Sequence, residues 1–211
     1  MLNEDAANPA RTPWYDVAPS KDAVTETIEF IKWCWWVFLV VWLVAALRIK
    51  PTKERQSRGS QLIISGLVLI GFLLLAGKIR WMGLTSRVLP DTLAVRLAGD
   101  GITFIGLMTA VWARVILGGN WSSPVTFKEG HELVERGPYR WVRHPIYSGL
   151  LLMILGTACG IGRIGGFVGL ILCFLGMWRK LRLEEALLTR HFPESYPKYM
   201  TRTKALIPYV L

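Results

Sequence analysis

The chain has 211 residues, 52% of them hydrophobic, and a formal net charge of +10. Its apolar residues come in long blocks separated by basic clusters, which excludes a soluble domain with apolar positions spread at helical or strand period. The basic excess lies mainly between the blocks, where cytoplasmic loops and anionic headgroups account for it. No zinc-finger spacing, RNA-binding signature or basic helical stripe accompanies it, so no nucleic-acid partner is expected.

Residues 1–27 read as a polar, mildly acidic surface arm, helical near its end. No small-residue cleavage pattern marks a signal peptide. The first span is expected over Ile28–Leu47, with Trp33, Trp35, Trp36 and Trp42 along it. Tryptophans near its ends fit an interfacial belt, and the deeper ones fit lipid contact or packing. A basic loop follows, then a second span centred on Leu62–Ala76, an interfacial connection, and a third span over Leu97–Leu117. Asp100 and Arg114, near the ends of that span, are expected to snorkel.

A long polar loop, 118–144, leads to a fourth span from Pro145 to about Gly160 and a fifth from Gly165 to Trp178. Gly156 and Gly160, Gly162 and Gly166, and Gly165 and Gly169 are spaced by four, which predicts a tight hairpin of spans four and five. The fold class is therefore an all-α integral membrane protein of about five transmembrane helices with a cytoplasmic C-terminal helix and tail. Three regions are expected: the arm at 1–27, helices one to three at 28–118, and a catalytic half at 119–211. Loop charge places the N-terminus outside and the C-terminus in the cytoplasm. The final Pro-Tyr-Val-Leu holds no prenylation cysteine, so the chain is not expected to be lipidated in that way.

Cys34, Cys159 and Cys173 are scattered through apolar blocks and read as small buried hydrophobes. His131, His144 and His191 are too dispersed for a metal site, and no metalloprotease, serine-hydrolase or phosphate-loop motif occurs.

Two polar clusters could carry chemistry. The first runs from His131 through Gly137-Pro-Tyr-Arg-Trp-Val-Arg-His-Pro-Ile-Tyr-Ser-Gly149. Pro145 suits a first helical turn, His144 before it is biased away from helix, and that turn's free N–H groups can hold an acceptor group. Tyr139 and Tyr147 offer aromatic faces to a base or a cation. An ordered interfacial loop would have the same composition. The second cluster, Arg179 to Phe192, reads as a helix with Lys180 four residues before Glu184 and Arg182 three before Glu185. A plain cytoplasmic helix with surface ion pairs would look the same.

Together the clusters resemble the isoprenylcysteine carboxyl methyltransferase family, in a short, prokaryotic-looking form. The resemblance rests on His131-Glu-Leu-Val, Gly137-Pro-Tyr139, Arg143-His-Pro-Ile-Tyr147-Ser-Gly149, and the Glu184-Glu185 helix with its Phe-x-x-x-Tyr tail; it covers the chain from Asn120 onward. It implies S-adenosyl-L-methionine as cofactor, contacted by His131, Glu132, Leu133 and Val134, by Tyr139, by His144, Pro145, Ile146 and Tyr147, and by Glu184 and Glu185. It implies a carboxyl O-methyltransferase acting in the bilayer on a lipid-tailed small molecule or prenylated acceptor. The family's substrate-contacting arginine falls at Lys180, so Arg179, Lys180 and Arg182 remain alternatives for the acceptor contact, with Lys180 and Arg182 taken as the catalytic pair. Integral-membrane sterol-type reductases using NADPH and phospholipid methyltransferases have similar C-terminal halves. A non-catalytic membrane scaffold is the third reading. Oligomeric state is not legible.

Overall fold

A computed structural model describes residues 17–47, 52–55, 58–81, 83–118, 126–128 and 133–211. Six α-helices dominate: α1 Lys21–Ala46, α2 Arg58–Leu75, α3 Leu93–Leu117, α4 Pro145–Ile161, α5 Ile164–His191 and α6 Ser195–Arg202. The all-α membrane class is as expected. Ser20 caps α1 by accepting from the Ala23 N–H at 3.2 Å, and Thr92 caps α3 by accepting from Val95 at 3.4 Å. Two short antiparallel strands, β1 Thr52–Arg55 and β2 Thr126–Lys128, join the first and third connecting loops. Elements of four and three residues carry too little alternation to be read from sequence.

By length and composition α1, α3 and α5 can cross a membrane, and α2 and α4 are shorter apolar helices. A helix of 17 residues rises about 26 Å, within the short end of the spanning range. The surface is apolar where lipid would lie: Trp36, Leu43 and Leu62 are more than 60% exposed. Trp35 turns inward instead and donates its indole N–H to Thr157 Oγ1 at 3.1 Å, tying α1 to α4.

Helix α5 corrects one expectation. The fifth span and the charged helix after it form one continuous element of 28 residues. Nothing between Arg179 and His191 is glycine or proline, so the helix has no stop signal. Its rise of about 42 Å exceeds a hydrocarbon core of about 30 Å, so 164–178 spans and 179–191 projects beyond the membrane.

The glycines close a different seam from the one their spacing suggested. A Cβ on Gly99 would lie 2.6 Å from the Gly160 nitrogen and 2.7 Å from the Gly156 oxygen; one on Gly149 would lie 2.6 Å from the Ala110 nitrogen. Backbones of α3 and α4 therefore touch along their length. Gly71 and Gly169 perform the same service between α2 and α5. The α4–α5 hairpin does exist, turning at Gly162 with φ 70°, but its glycines mostly serve other partners. The loop before α3 covers that turn through Val88 N–H to Gly162 O at 2.8 Å and Gly165 N–H to Leu84 O at 2.9 Å.

Neither intramembrane charge of α3 snorkels. Arg114 is 3% exposed and donates to Gly118 O at 2.7 Å and Ala45 O at 2.8 Å, so one guanidinium closes the C-terminal ends of α1 and α3. Asp100 is 8% exposed, next in sequence to Gly99 of the glycine seam.

Candidate active site

At the end of the bundle where α4 begins, the chain descends through a 3₁₀ turn, Gly137–Arg140, into a short bent stretch at 142–144 that bridges Val142 to Lys204 of the tail. Gly137 takes φ 62°, which a side chain would strain. Tyr139 is buried against Ala113 and Ile146, and donates to Ala113 O at 3.4 Å. Burial, reinforced by Tyr199 and Glu184, pushes its hydroxyl far above the ordinary tyrosine range, so it stays neutral. Pro145 then opens α4, where its missing N–H costs nothing.

The stretch before Pro145 would leave bare N–H groups, and the C-terminal tail supplies their partners. Arg143 N–H donates to Lys204 O at 2.8 Å, His144 N–H to Ala205 O at 3.0 Å, and Ser148 Oγ–H to Leu206 O at 2.6 Å. Tyr199 of α6 donates to Tyr139 O. Two segments some 60 residues apart in sequence thus share one polar seam.

Its centre is charged. Arg143 Nε–H donates to Glu185 Oε1 at 2.7 Å, both side chains being under a tenth exposed, and its Nη1 donates to Thr203 O. His144 sits between two carboxylates, Nδ1 3.5 Å from Glu184 Oε2 and Nε2 3.6 Å from Glu185 Oε1. Those are ion-pair distances, and Nε2 makes no hydrogen bond. Tyr147 stacks on the His144 ring at 5.6 Å between centroids and donates its O–H to Glu184 Oε1 at 2.7 Å. Lys180 Nζ lies 5.4 Å from the centre of the Tyr147 ring.

Burial alone would lower the His144 pKa; the Glu184 and Glu185 carboxylates outweigh it and raise the group above the ordinary histidine range. Burial likewise works to raise both glutamates, but His144 and the cations beside them, Lys180 for Glu184 and Arg143 for Glu185, hold them below the ordinary carboxylate range. The site is a compact array of fixed charges of both signs.

The two carboxylates differ. Glu185 is locked by Arg143, whereas the Glu184 side chain is 23% exposed beside the half-buried Lys180. Of the residues expected from sequence, His144, Tyr147, Lys180, Glu184 and Glu185 come together here. Tyr139, Pro145 and Ile146 form the buried wall beneath, with half-buried Val134 packed on it and Leu133 half-buried before it. Arg182 lies at the outer edge, 66% exposed and 4.0 Å from Glu185 Oε2. His131 and Glu132 lie outside the described residues. Sequence reasoning missed Arg143 and the tail at 203–206. Arg143 stood inside the Arg-His-Pro motif beside a glutamate pair assigned wholly to the cofactor, and that surplus of carboxylate was the available signal; the tail pairing left none.

A family model described as phospholipid methyltransferase matches residues 95–195, which takes in α3, the knot, α4 and α5. The chain is 33% identical over 116 residues to the protein-S-isoprenylcysteine O-methyltransferase of Schizosaccharomyces pombe, covering 52% of this chain and 48% of that protein. The likeness is to membrane methyltransferases of the isoprenylcysteine type. The corresponding Saccharomyces cerevisiae methyltransferase is 26% identical over 133 residues, 59% of this chain and 54% of that one. The cobalt-zinc-cadmium resistance protein CzcN of Cupriavidus metallidurans is 31% identical over 136 residues, 64% of this chain and 56% of that one. The chain spans about half the length of the curated relatives it matches. The methyltransferase family match contains His144, Tyr147, Lys180 and Glu184, and ends before the tail segment at 203–206.

Proposed function

We propose that the chain is an S-adenosyl-L-methionine-dependent carboxyl O-methyltransferase acting on a lipid-tailed, prenylcysteine-like acceptor at the membrane. The observation that carries this reading is the meeting of the two polar clusters: Tyr147 bonded to Glu184 at 2.7 Å with Lys180 over the Tyr147 ring. A surface ion-pair helix would have no reason to bury such groups against the mouth of α4.

The residues fit the cofactor's chemistry. A partly open carboxylate at Glu184 suits a positive amino or sulfonium group, and Tyr147 offers an aromatic face stacked on the His144 ring. Glu184, Tyr147 and His144 would hold it, with Leu133 and Val134 walling the apolar side. The bound cofactor supplies an electrophilic methyl group on a sulfonium.

Lys180 then orients the acceptor. A carboxylate is ionised at neutral pH and needs no general base, so the task is to hold it in line and strip its water. Lys180 is half-buried at the mouth, whereas Arg182 is largely exposed, so the closer acceptor contact falls to Lys180. Glu185 and Arg143 position the array without touching either reactant. A soluble cofactor and the positive-inside bias put this end, with the C-terminus, in the cytoplasm and the N-terminus outside. The acceptor's lipid chain partitions into the bilayer beside it.

The test is transfer of labelled methyl from S-adenosylmethionine, in lipid vesicles, to prenylcysteine, fatty-acid, lipid-amine and lipid-thiol acceptors. Labelling of the carboxylates, base-labile as esters are, is expected. Exclusive labelling of an amine or thiol overturns the acceptor assignment, and stabilisation by NADPH without methyl transfer overturns the methyltransferase reading.

A further inference from the structure

The tail that completes the polar seam also carries an apolar surface the proposed chemistry does not use. After Lys204 the chain reads Ala-Leu-Ile-Pro-Tyr-Val-Leu, without a charged side chain. Ala205 and Leu206 are buried with Leu181 and pack against Leu151 of α4 and Phe174 and Trp178 of α5. Leu151 lies six residues past the start of α4, about 9 Å along its axis. The tail thus dips between α4 and α5 to the depth of their membrane turns.

There it closes into a tight turn. Leu206 and Ile207 both donate N–H groups to Leu211 O at 2.7 Å, and Leu211 donates back to Ile207 O at 3.1 Å. Tyr209 takes φ 65°, an uncommon conformation for a residue with a side chain. The turn presents its side chains outward: Ile207 is 50% exposed, Tyr209 90% and Val210 73%. On the same membrane stretch of α5 that packs on the tail through Phe174 and Trp178, Ile171 and Leu175 are about as bare as Ile207.

We propose that Ile207–Val210 is an interfacial hook whose partner is the bilayer itself, at the boundary of headgroups and acyl chains. Apolar side chains exposed on a turn whose base packs on the membrane stretches of α4 and α5 match lipid and not water. The hook has a consequence for the site, because the tail segment before it supplies the carbonyls that hold Arg143 and His144. Seating it in lipid presses that segment against the knot.

The experiment is spin-label accessibility on the full-length protein in phosphatidylcholine–phosphatidylglycerol vesicles. A nitroxide is placed at Val210→Cys, with Leu43→Cys as the lipid reference, Lys198→Cys as the aqueous one, and the labelled parent chain correcting for its own cysteines. The label at 210 is expected to favour oxygen over a water-soluble nickel chelate, as at 43. A pattern like that at 198 overturns the hook, and protection from both reagents overturns it in favour of a protein partner or a second copy.

Discussion

Helix α4 is held by two seams of opposite kind. Against α3 it lies backbone to backbone through Gly149, Gly156 and Gly160, with Thr103 Oγ1 at the contact and the buried Asp100 next to Gly99. At its N-terminal end it is held by the Arg143–Glu185 pair, the His144 contacts and three hydrogen bonds donated to carbonyls of the tail. The first seam gains from close packing and needs only small residues. The second buries charges that water would solvate better, and apolar residues of similar volume would hold a fold as well or better. A chain that keeps the costlier seam at one end of one helix has marked that end for something besides folding.

Substitutions separate the seams. The largest effect is expected from Arg143→Met, which removes the close partner of the buried Glu185, leaves it only the longer His144 and Arg182 contacts, and should destabilise the protein by about 3 kcal/mol or more. Adding Glu185→Leu should recover much of that loss in thermal unfolding while leaving the knot poorly placed for ligand. Failure of the second change to recover stability would make the pair indispensable to the fold itself. Next comes Gly156→Val, whose new side chain would meet Thr103 and the Gly99 carbonyl across the glycine seam. A loss of about 3 kcal/mol, at the upper end of overpacking costs, is expected as collapse of folded yield in detergent. Gly66→Ala, where nothing lies within 4 Å, is the control and should be nearly silent.

A smaller effect distinguishes the seams by pH. His144, with its pKa raised, contributes fully below the ordinary histidine range near 6.5 and loses that contribution as pH rises through its higher folded value. Glu184 and Glu185, with theirs lowered, contribute above the ordinary value near 4.5 and lose it as pH falls through their depressed values. The polar seam is therefore strongest from about pH 4.5 to 6.5, and unfolding temperature should decline toward alkaline pH. His144→Gln should flatten that alkaline decline, and an unchanged slope would remove the imidazolium from the account.

Hydropathy and the Arg-His-Pro and Glu-Glu motifs carried the helices and the convergence of the two clusters. What could not be read was which partner each surface meets. Four-residue glycine spacing marks a face for close approach without naming the helix that approaches, so Gly156 was matched to α5 when it serves α3. The continuity of α5 was legible in the unbroken run from Arg179 to His191, but a charged segment after an apolar one looks like a new element. Arg114 was read as a snorkelling cation because the carbonyl it caps on α1, Ala45 O, lies 69 residues away. The tail segment was beyond reach for the same reason, its partners at 142–148 being separated by some 60 residues and signalled by no periodicity.

The claim that the polar seam exists for a cofactor is tested most directly by thermal unfolding with S-adenosylhomocysteine, on the parent protein and on Glu184→Gln. Glu184 is the partly open carboxylate and also a partner of His144, so its neutralisation should lower the unfolding temperature of the free protein somewhat and cost the ligand about 1.5–3 kcal/mol, roughly a tenfold to hundredfold loss of affinity. The expected result is clear stabilisation of the parent at concentrations that leave the variant unmoved. Equal stabilisation of both, or stabilisation of the parent by NADPH and not by S-adenosylhomocysteine, would contradict it.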